Sequence, residues 1–131
     1  MKIPEQVMNV LADEKSVKTI STISKDGVLH SVVAGSIMAM GDDRLFVAEI
    51  FLNTTSQNMQ ANKNVAFLIV NGMESYLINA VAIERSTQGE FYDTMAKPML
   101  EKGMPVKAVW TFEVTAVFDQ SPSPNAGTKL I

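Results

Sequence analysis

The stretch that decides the fold runs from Leu45 to Val70: Leu-Phe-Val-Ala-Glu-Ile-Phe-Leu-Asn-Thr-Thr-Ser-Gln-Asn-Met-Gln-Ala-Asn-Lys-Asn-Val-Ala-Phe-Leu-Ile-Val. An apolar, strand-like run from Leu45 to Leu52 stops at Asn53. A short helix-like segment covers Thr54 to Asn62, and a second apolar run starts at Val65. Four small polar residues, Asn53, Thr54, Thr55 and Ser56, stand at the junction. Such residues suit a helix N-cap, because a side-chain oxygen accepts a bond from an unpaired first-turn N–H. The remaining free N–H groups and the positive end of the helix dipole favour an anion there. The same four residues also describe a plain, well-capped connecting helix.

Working outward, 131 residues suit a single domain, 1–131, with a real core. Hydrophobic residues make up 47%, too many for a disordered chain. A net charge of −3 without a basic cluster argues against nucleic acid as a partner. With no cysteine and one histidine, neither a disulfide framework nor a transition-metal site is expected. The segment Met1–Asn9 lacks the apolar centre of a signal peptide, and no run approaches a membrane span. A soluble cytoplasmic protein is therefore the expectation. Nine methionines fit adaptable core filling, or a surface that holds a flat ligand or a partner.

Pro4 to Glu14 has the apolar spacing of a short amphipathic helix. Val17 to Ser24 reads as a strand, and Lys25-Asp26-Gly27 as a hairpin turn into a second strand, Val28 to Met40. That strand is apolar on both sides, which predicts cover on both. Gly35 and Ser36 in its middle mark a bend or a place where a ligand meets the backbone. His30 stands alone, with no local partner for catalysis. Further strands are expected at Arg44 to Leu52, Val65 to Val70 and Ser75 to Arg85. Thr87 to Lys102 carries helical spacing interrupted by Pro98 and stopped by Gly103. From Val106 to Asp119, alternation puts Val106, Ala108, Trp110, Phe112, Val114, Ala116 and Phe118 on one buried face. Trp110 on that face reads as core. A Pro- and Ser-rich arm, 120–131, follows and ends in Leu130-Ile131. The sum is a mainly β protein, a six-stranded antiparallel barrel with flanking helices.

This order, with Thr-Thr-x-x-Asn-Met-x-x-Asn-x-x-Val-Ala from Thr54 to Ala66, resembles the FMN-binding split-barrel family. Pyridoxamine 5'-phosphate oxidase and small FMN-binding proteins typify that family. The resemblance is good over Val17 to Val70 and looser over Val106 to Phe118. The tail, Ser-Pro-Ser-Pro-Asn-Ala-Gly-Thr-Lys-Leu, is similar to that of small members. The resemblance implies FMN in a cleft between two subunits of a homodimer. It implies a phosphate at the start of the short helix, where the family often has a basic residue and Thr followed by Asn. Thr55 and Asn58 match that pattern, Thr54 replaces the basic residue, and Ser56 adds a hydroxyl. Lys129, carried by the tail, is the candidate for the missing charge. The ring is implied to lie along Val32, Val33, Ala34, Gly35 and Ser36, and along Val47, Ala48, Glu49 and Ile50.

The implied function is that of a dimeric FMN-binding flavoprotein, an oxidoreductase related to pyridoxamine 5'-phosphate oxidase, with NAD(P)H or another electron donor. No side chain reads as an obligatory acid, base or nucleophile, so no catalytic residue is assigned. The oxidase's own activity is not expected, because the C-terminal arginine and histidine it uses are absent. An FMN carrier or electron-transfer protein is an alternative. So is a dimeric binding module without cofactor, which the change at Thr54 keeps open. Haem or a deazaflavin in the same cleft is a further one, with haem disfavoured by a lone His30.

Overall fold

The computed structural model describes residues 2–131. Helix α1 (Glu5–Ala12) leads into strands β1 (Val17–Ile23), β2 (Leu29–Val33), β3 (Met38–Met40) and β4 (Arg44–Glu49). Helix α2 (Asn53–Ala61), strands β5 (Asn64–Asn71) and β6 (Glu74–Ser86), helix α3 (Glu90–Glu101), strand β7 (Ala108–Asp119) and the short β8 (Thr128–Lys129) follow. The two hairpin glycines, Gly27 and Gly72, sit at φ 83° and 60°, where a Cβ is strained. All strand pairs are antiparallel, in the order β2-β1-β5-β6-β7-β4-β3, with β8 beside β7.

The two edge strands of this sheet, β2 and β3, are consecutive in the chain. Val33 to Met38 is five residue steps, which reach about 18 Å at most. The sheet must therefore curl until its edges meet, and the residues from Ala34 to Ile37 form the seam. The expected second strand is thus two strands on opposite edges of the sheet, broken where Gly35 and Ser36 interrupt it. With β8 in the tail, this makes eight strands rather than six. Lys18 holds the seam. Its carbonyl accepts the Ala34 N–H at 2.9 Å. Its Nζ donates to Ile37 O at 2.9 Å and to Leu11 O, in the last turn of α1, at 3.1 Å. The side chain is 8% exposed, and that burial pushes its pKa down.

The strict alternation expected of β7 fails at Thr115. Asn79 faces Ala116 but Ala80 faces Val114, so Thr115 is an extra residue. Val117 therefore points into the core, and Ala116 and Phe118 turn outward. A second irregularity answers it on β6. Ala82 faces Phe112 and Glu84 faces Thr111, leaving Ile83 over and turning Arg85 inward opposite Trp110. Beyond the bulge, Arg85 meets Glu49 in a two-pronged pair, Nε to Oε1 at 3.2 Å and Nη2 to Oε2 at 2.9 Å. Trp110 Nε1 donates to the same carboxylate at 2.8 Å. Trp110 is 2% exposed and stacks on Phe112, so it is core, as expected. Burial would raise the Glu49 pKa, but hydrogen bonds from Arg85, Ser56 and Trp110 outweigh it and hold the carboxyl below its ordinary range.

Helix α2 closes the end of the barrel nearest Glu49. Met59 is fully buried, and Asn58 Nδ2 donates to Thr22 Oγ1 at 3.0 Å. Helix α3 lays Phe91, Met95 and Met99 on Ala48, Val106 and Val109, running through Pro98 and stopping at Gly103. Opposite, the outer sheet face stays uncovered. Its register rows Val33–Thr19–Leu68–Leu77–Phe118 and Ser31–Ser21–Ala66–Asn79–Ala116 carry no charged side chain up to Lys129 of β8, which pairs with Phe118. Leu130 and Ile131 of the arm pack against the main core.

Lys18→Met strips the Leu11 and Ile37 carbonyls of their donor, for a loss of about 1–3 kcal/mol in urea unfolding. Amide exchange at Gly35, Ser36 and Ile37 then speeds up, while Phe67 and Ile78 keep their protection. Unchanged stability and exchange contradict the clamp. Glu49 gives a pH test. Its folded pKa lies below the ordinary 4.5, so the unfolded chain takes the proton first as pH falls. Its contribution is whole above that value and drains away below it. The urea midpoint therefore drops on acidification from about pH 5 to about pH 3, and Glu49→Gln shows a shallower drop. Equal slopes contradict the assignment.

Candidate functional site

The seam loop, the bend after β4 and the end of α3 enclose an apolar hollow of about 360 Å³. Val33, Ala34, Gly35 and Ser36 form one wall, Ala48 and Ile50 another, and Met99 and Met104 a third. Ser36 Oγ donates to Ala48 O at 3.1 Å, which locks the seam loop onto β4. A Cβ built on Gly35 meets nothing within 4 Å, and the backbone is not left-handed there. Gly35 therefore keeps space in the hollow free and is not required by a turn. Gly103, at φ 77°, reverses the chain after α3 and delivers Met104, whose N–H bonds back to Met99 O at 3.1 Å.

A second hollow of about 330 Å³ shares Ile50, Phe51 and Leu52 with the first, so the two adjoin along that segment. Its polar wall is the start of α2, with Asn53, Thr54 and Thr55, and it is completed by His30, Pro105 and Lys107. The expected capping is corrected here. Leu52 is the N-cap and makes no side-chain cap bond, and the four polar residues occupy the first turn itself. The first intrahelical bond of this turn is Ser56 N–H to Leu52 O, at 2.8 Å. The N–H groups of Asn53, Thr54 and Thr55 come before it and have no intrahelical acceptor. Thr55 is 1% exposed, and its Oγ1 has no hydrogen-bond partner. A buried hydroxyl without a partner is costly, and a ligand oxygen at this end of the cleft would satisfy it.

Of the residues expected from the sequence, Val33, Ala34, Gly35, Ser36 and Ala48 come together at the apolar end, and Thr54 and Thr55 at the polar end. Glu49, Ser56 and Asn58 turn into the barrel instead. Glu49 meets Arg85 and Trp110, Ser56 meets Glu49, and Asn58 meets Thr22. These three seat the helix rather than line the cleft. Lys129 pairs with Phe118 in β8, is exposed, and lines neither hollow of its own chain. The cation at the cleft is Lys107. Its N–H bonds to Glu49 O at 2.8 Å and its Nζ to Asn53 Oδ1 at 2.9 Å. In the sequence, alternation puts Lys107 only on the side of the last strand opposite Val106 and Ala108. The signal lies in the β4–β7 pairing, which sets Ala108 opposite Glu49 and so Lys107 beside α2. Among the described residues, no three His, Cys, Asp or Glu side chains gather to hold a metal ion, and no helix is long and apolar enough to cross a membrane.

No protein-family model and no curated protein sequence matches the chain. Solved structures do. HupZ of Group A Streptococcus superposes with a TM-score of 0.80 at 21% identity, over 95% of this chain and 99% of that one. An FMN-binding protein of Syntrophomonas wolfei gives 0.75 at 17% identity, over 90% and 84%. A candidate pyridoxamine 5'-phosphate oxidase of Lactobacillus delbrueckii gives 0.76 at 18%, over 89% and 93%. An F420 reductase and the heme storage protein HutZ of Vibrio cholerae share the architecture at lower scores. Cofactor names thus differ across one architecture, and the fold is what these likenesses have in common. The curled antiparallel sheet with its seam, the helix across the barrel end and these superpositions agree: the chain has the split-barrel fold also seen in the candidate pyridoxamine 5'-phosphate oxidases.

Proposed function

We propose that the chain binds FMN in this cleft and acts as a flavin-dependent oxidoreductase. One observation carries the reading. An apolar hollow with an open glycine and a polar hollow at a helix start share Ile50, Phe51 and Leu52 as lining. A fused ring with a phosphate on a flexible arm has that same division of chemistry. In this reading Val33, Ala34, Gly35, Ser36 and Ala48 hold the ring edge through backbone groups, and Met99 and Met104 keep water from its face. Thr54, Thr55 and the free first-turn N–H groups receive the phosphate. Glu49, Ser56 and Asn58 support the cofactor indirectly, by fixing α2. When bound, a flavin supplies hydride and single-electron transfer, and the protein positions it and tunes its potential. Flavin is favoured over haem because the single histidine, His30, borders the polar hollow rather than the apolar one, where an axial ligand would be needed.

The apolar end carries no acid, base or nucleophile beyond the Ser36 hydroxyl, which already donates to Ala48 O. This favours a second reading alongside the first, an FMN carrier or electron-transfer protein without a substrate of its own. We also propose a homodimer formed through the apolar and small-polar stretch of the outer face between β2 and β6. Leu29 and Val33 on that face are 79% and 66% exposed in the single chain, and a groove of about 450 Å³ crosses it. Val33 belongs to both that face and the cleft, so a second copy there would wall the cofactor on its open side. The proposed location is the cytoplasm, where NAD(P)H is the natural electron donor to test.

Purified protein mixed with FMN should keep its visible flavin bands through gel filtration, at one FMN per chain. A colourless protein overturns the flavin reading. Gly35→Val should fold with a melting temperature close to the parent's, since its side chain enters open space, yet lose FMN affinity at least about tenfold by blocking the ring. Full affinity in the folded variant removes Gly35 from the site. Anaerobic mixing with NADPH separates the two readings. Rapid bleaching of the flavin supports an oxidoreductase, and bleaching only by chemical reductant supports the carrier.

A further inference from the structure

We infer that Lys107 supplies the positive charge for a phosphate monoester at the start of α2, and so sets the preference of this cleft for a phosphorylated ligand over its dephosphorylated form. The inference rests on the cleft reading above. It adds the residue that replaces the basic side chain missing at Thr54.

Four observations meet here. First, Thr55, which borders the polar hollow, has a buried, unpartnered Oγ1 in the same first turn as three N–H groups without intrahelical acceptors. Second, Lys107 lines the same hollow, and its ammonium rests on a neutral acceptor, the Asn53 amide oxygen at 2.9 Å. Among the described residues it takes part in no ion pair. Its charge is therefore not spent, and an amide oxygen yields to a phosphate, which carries nearly two negative charges. Third, Arg85 is held by Glu49, Lys18 by two carbonyls at the seam, and Lys63 lies over the Trp110 ring and lines neither hollow. Fourth, the backbone of Lys107 is fixed by the Glu49 carbonyl and follows the buried Val106, while its tip is exposed. A fixed base with a free tip suits a clamp that closes on an arriving anion.

The test compares FMN with riboflavin, which share the ring and differ in the phosphate. Binding is measured by flavin fluorescence for the parent, Lys107→Gln, Lys107→Arg and Lys129→Gln. The expected result is a preference for FMN in the parent that falls at least about tenfold in Lys107→Gln, is largely kept in Lys107→Arg, and is unchanged in Lys129→Gln. Riboflavin affinity stays the same throughout. An unchanged preference in Lys107→Gln overturns the inference, and a loss confined to Lys129→Gln transfers the role to the tail of a second copy. If the parent binds neither flavin, the flavin reading fails on its own, and phosphorus NMR with inorganic phosphate decides the charge site. Broadening that disappears in Lys107→Gln upholds it, and no broadening, or broadening indifferent to the substitution, overturns it.

Discussion

A buried ammonium without a carboxylate partner holds the barrel shut. Lys18 ties the last turn of α1 to the seam loop through two carbonyls, and its own carbonyl receives the Ala34 amide. Taking a cation out of water is costly, and its lowered pKa records that cost. What it provides is position. The loop it fixes contains Gly35 and Ser36, and Ser36 in turn bonds to Ala48 across the cleft. The seam is the one place in the barrel where two edges meet without a ladder. A chain that must cross it with four residues leaves backbone groups and space exposed together, and the apolar half of the cleft is that space.

The polar half depends on a second buried charge. Helix α2 has little apolar surface to anchor it: Met59 is its one fully buried large side chain. Polar contacts hold it instead, Asn58 to Thr22 and Ser56 to a Glu49 already gripped by Arg85 and Trp110. An ion pair between a buried carboxylate and a partly exposed Arg85 adds little net stability once desolvation and solvent screening are counted. Its effect here is orientation, because it aims the helix start at the hollow that Lys107 borders. The bulge at Ile83 makes this geometry available by turning Arg85 inward.

Much of this was legible in the sequence. The antiparallel strands, the Asp-Gly turn and the α2 segment follow from period and turn chemistry, whereas the grouping of Val33, Ala34, Gly35, Ser36 and Ala48 about one hollow was implied only by the family resemblance. Three things were not. The break between β2 and β3 hid in an uninterrupted apolar run, because nothing local distinguishes a strand that bends from one that leaves for the other sheet edge. The bulge at Thr115 hid because an inserted residue inverts alternation without changing composition, so Ala116 and Val117 exchange faces. The cation hid because Lys107 and Asn53 are joined only by strand pairing across half the chain. Lys129, the cation of the tail, sits beside Phe118 at the end of β7 away from Lys107.

The claim at the centre is that the two hollows act as one cleft for one ligand. Backbone amide NMR of labelled protein titrated with FMN tests it most directly. The expected result is a single saturating transition in which Gly35 and Ser36 at the seam shift together with Thr54 and Thr55 at the helix start. Shifts confined to the outer-face groove around Ser21, Ala66 and Asn79, or separate transitions for seam and helix, contradict it.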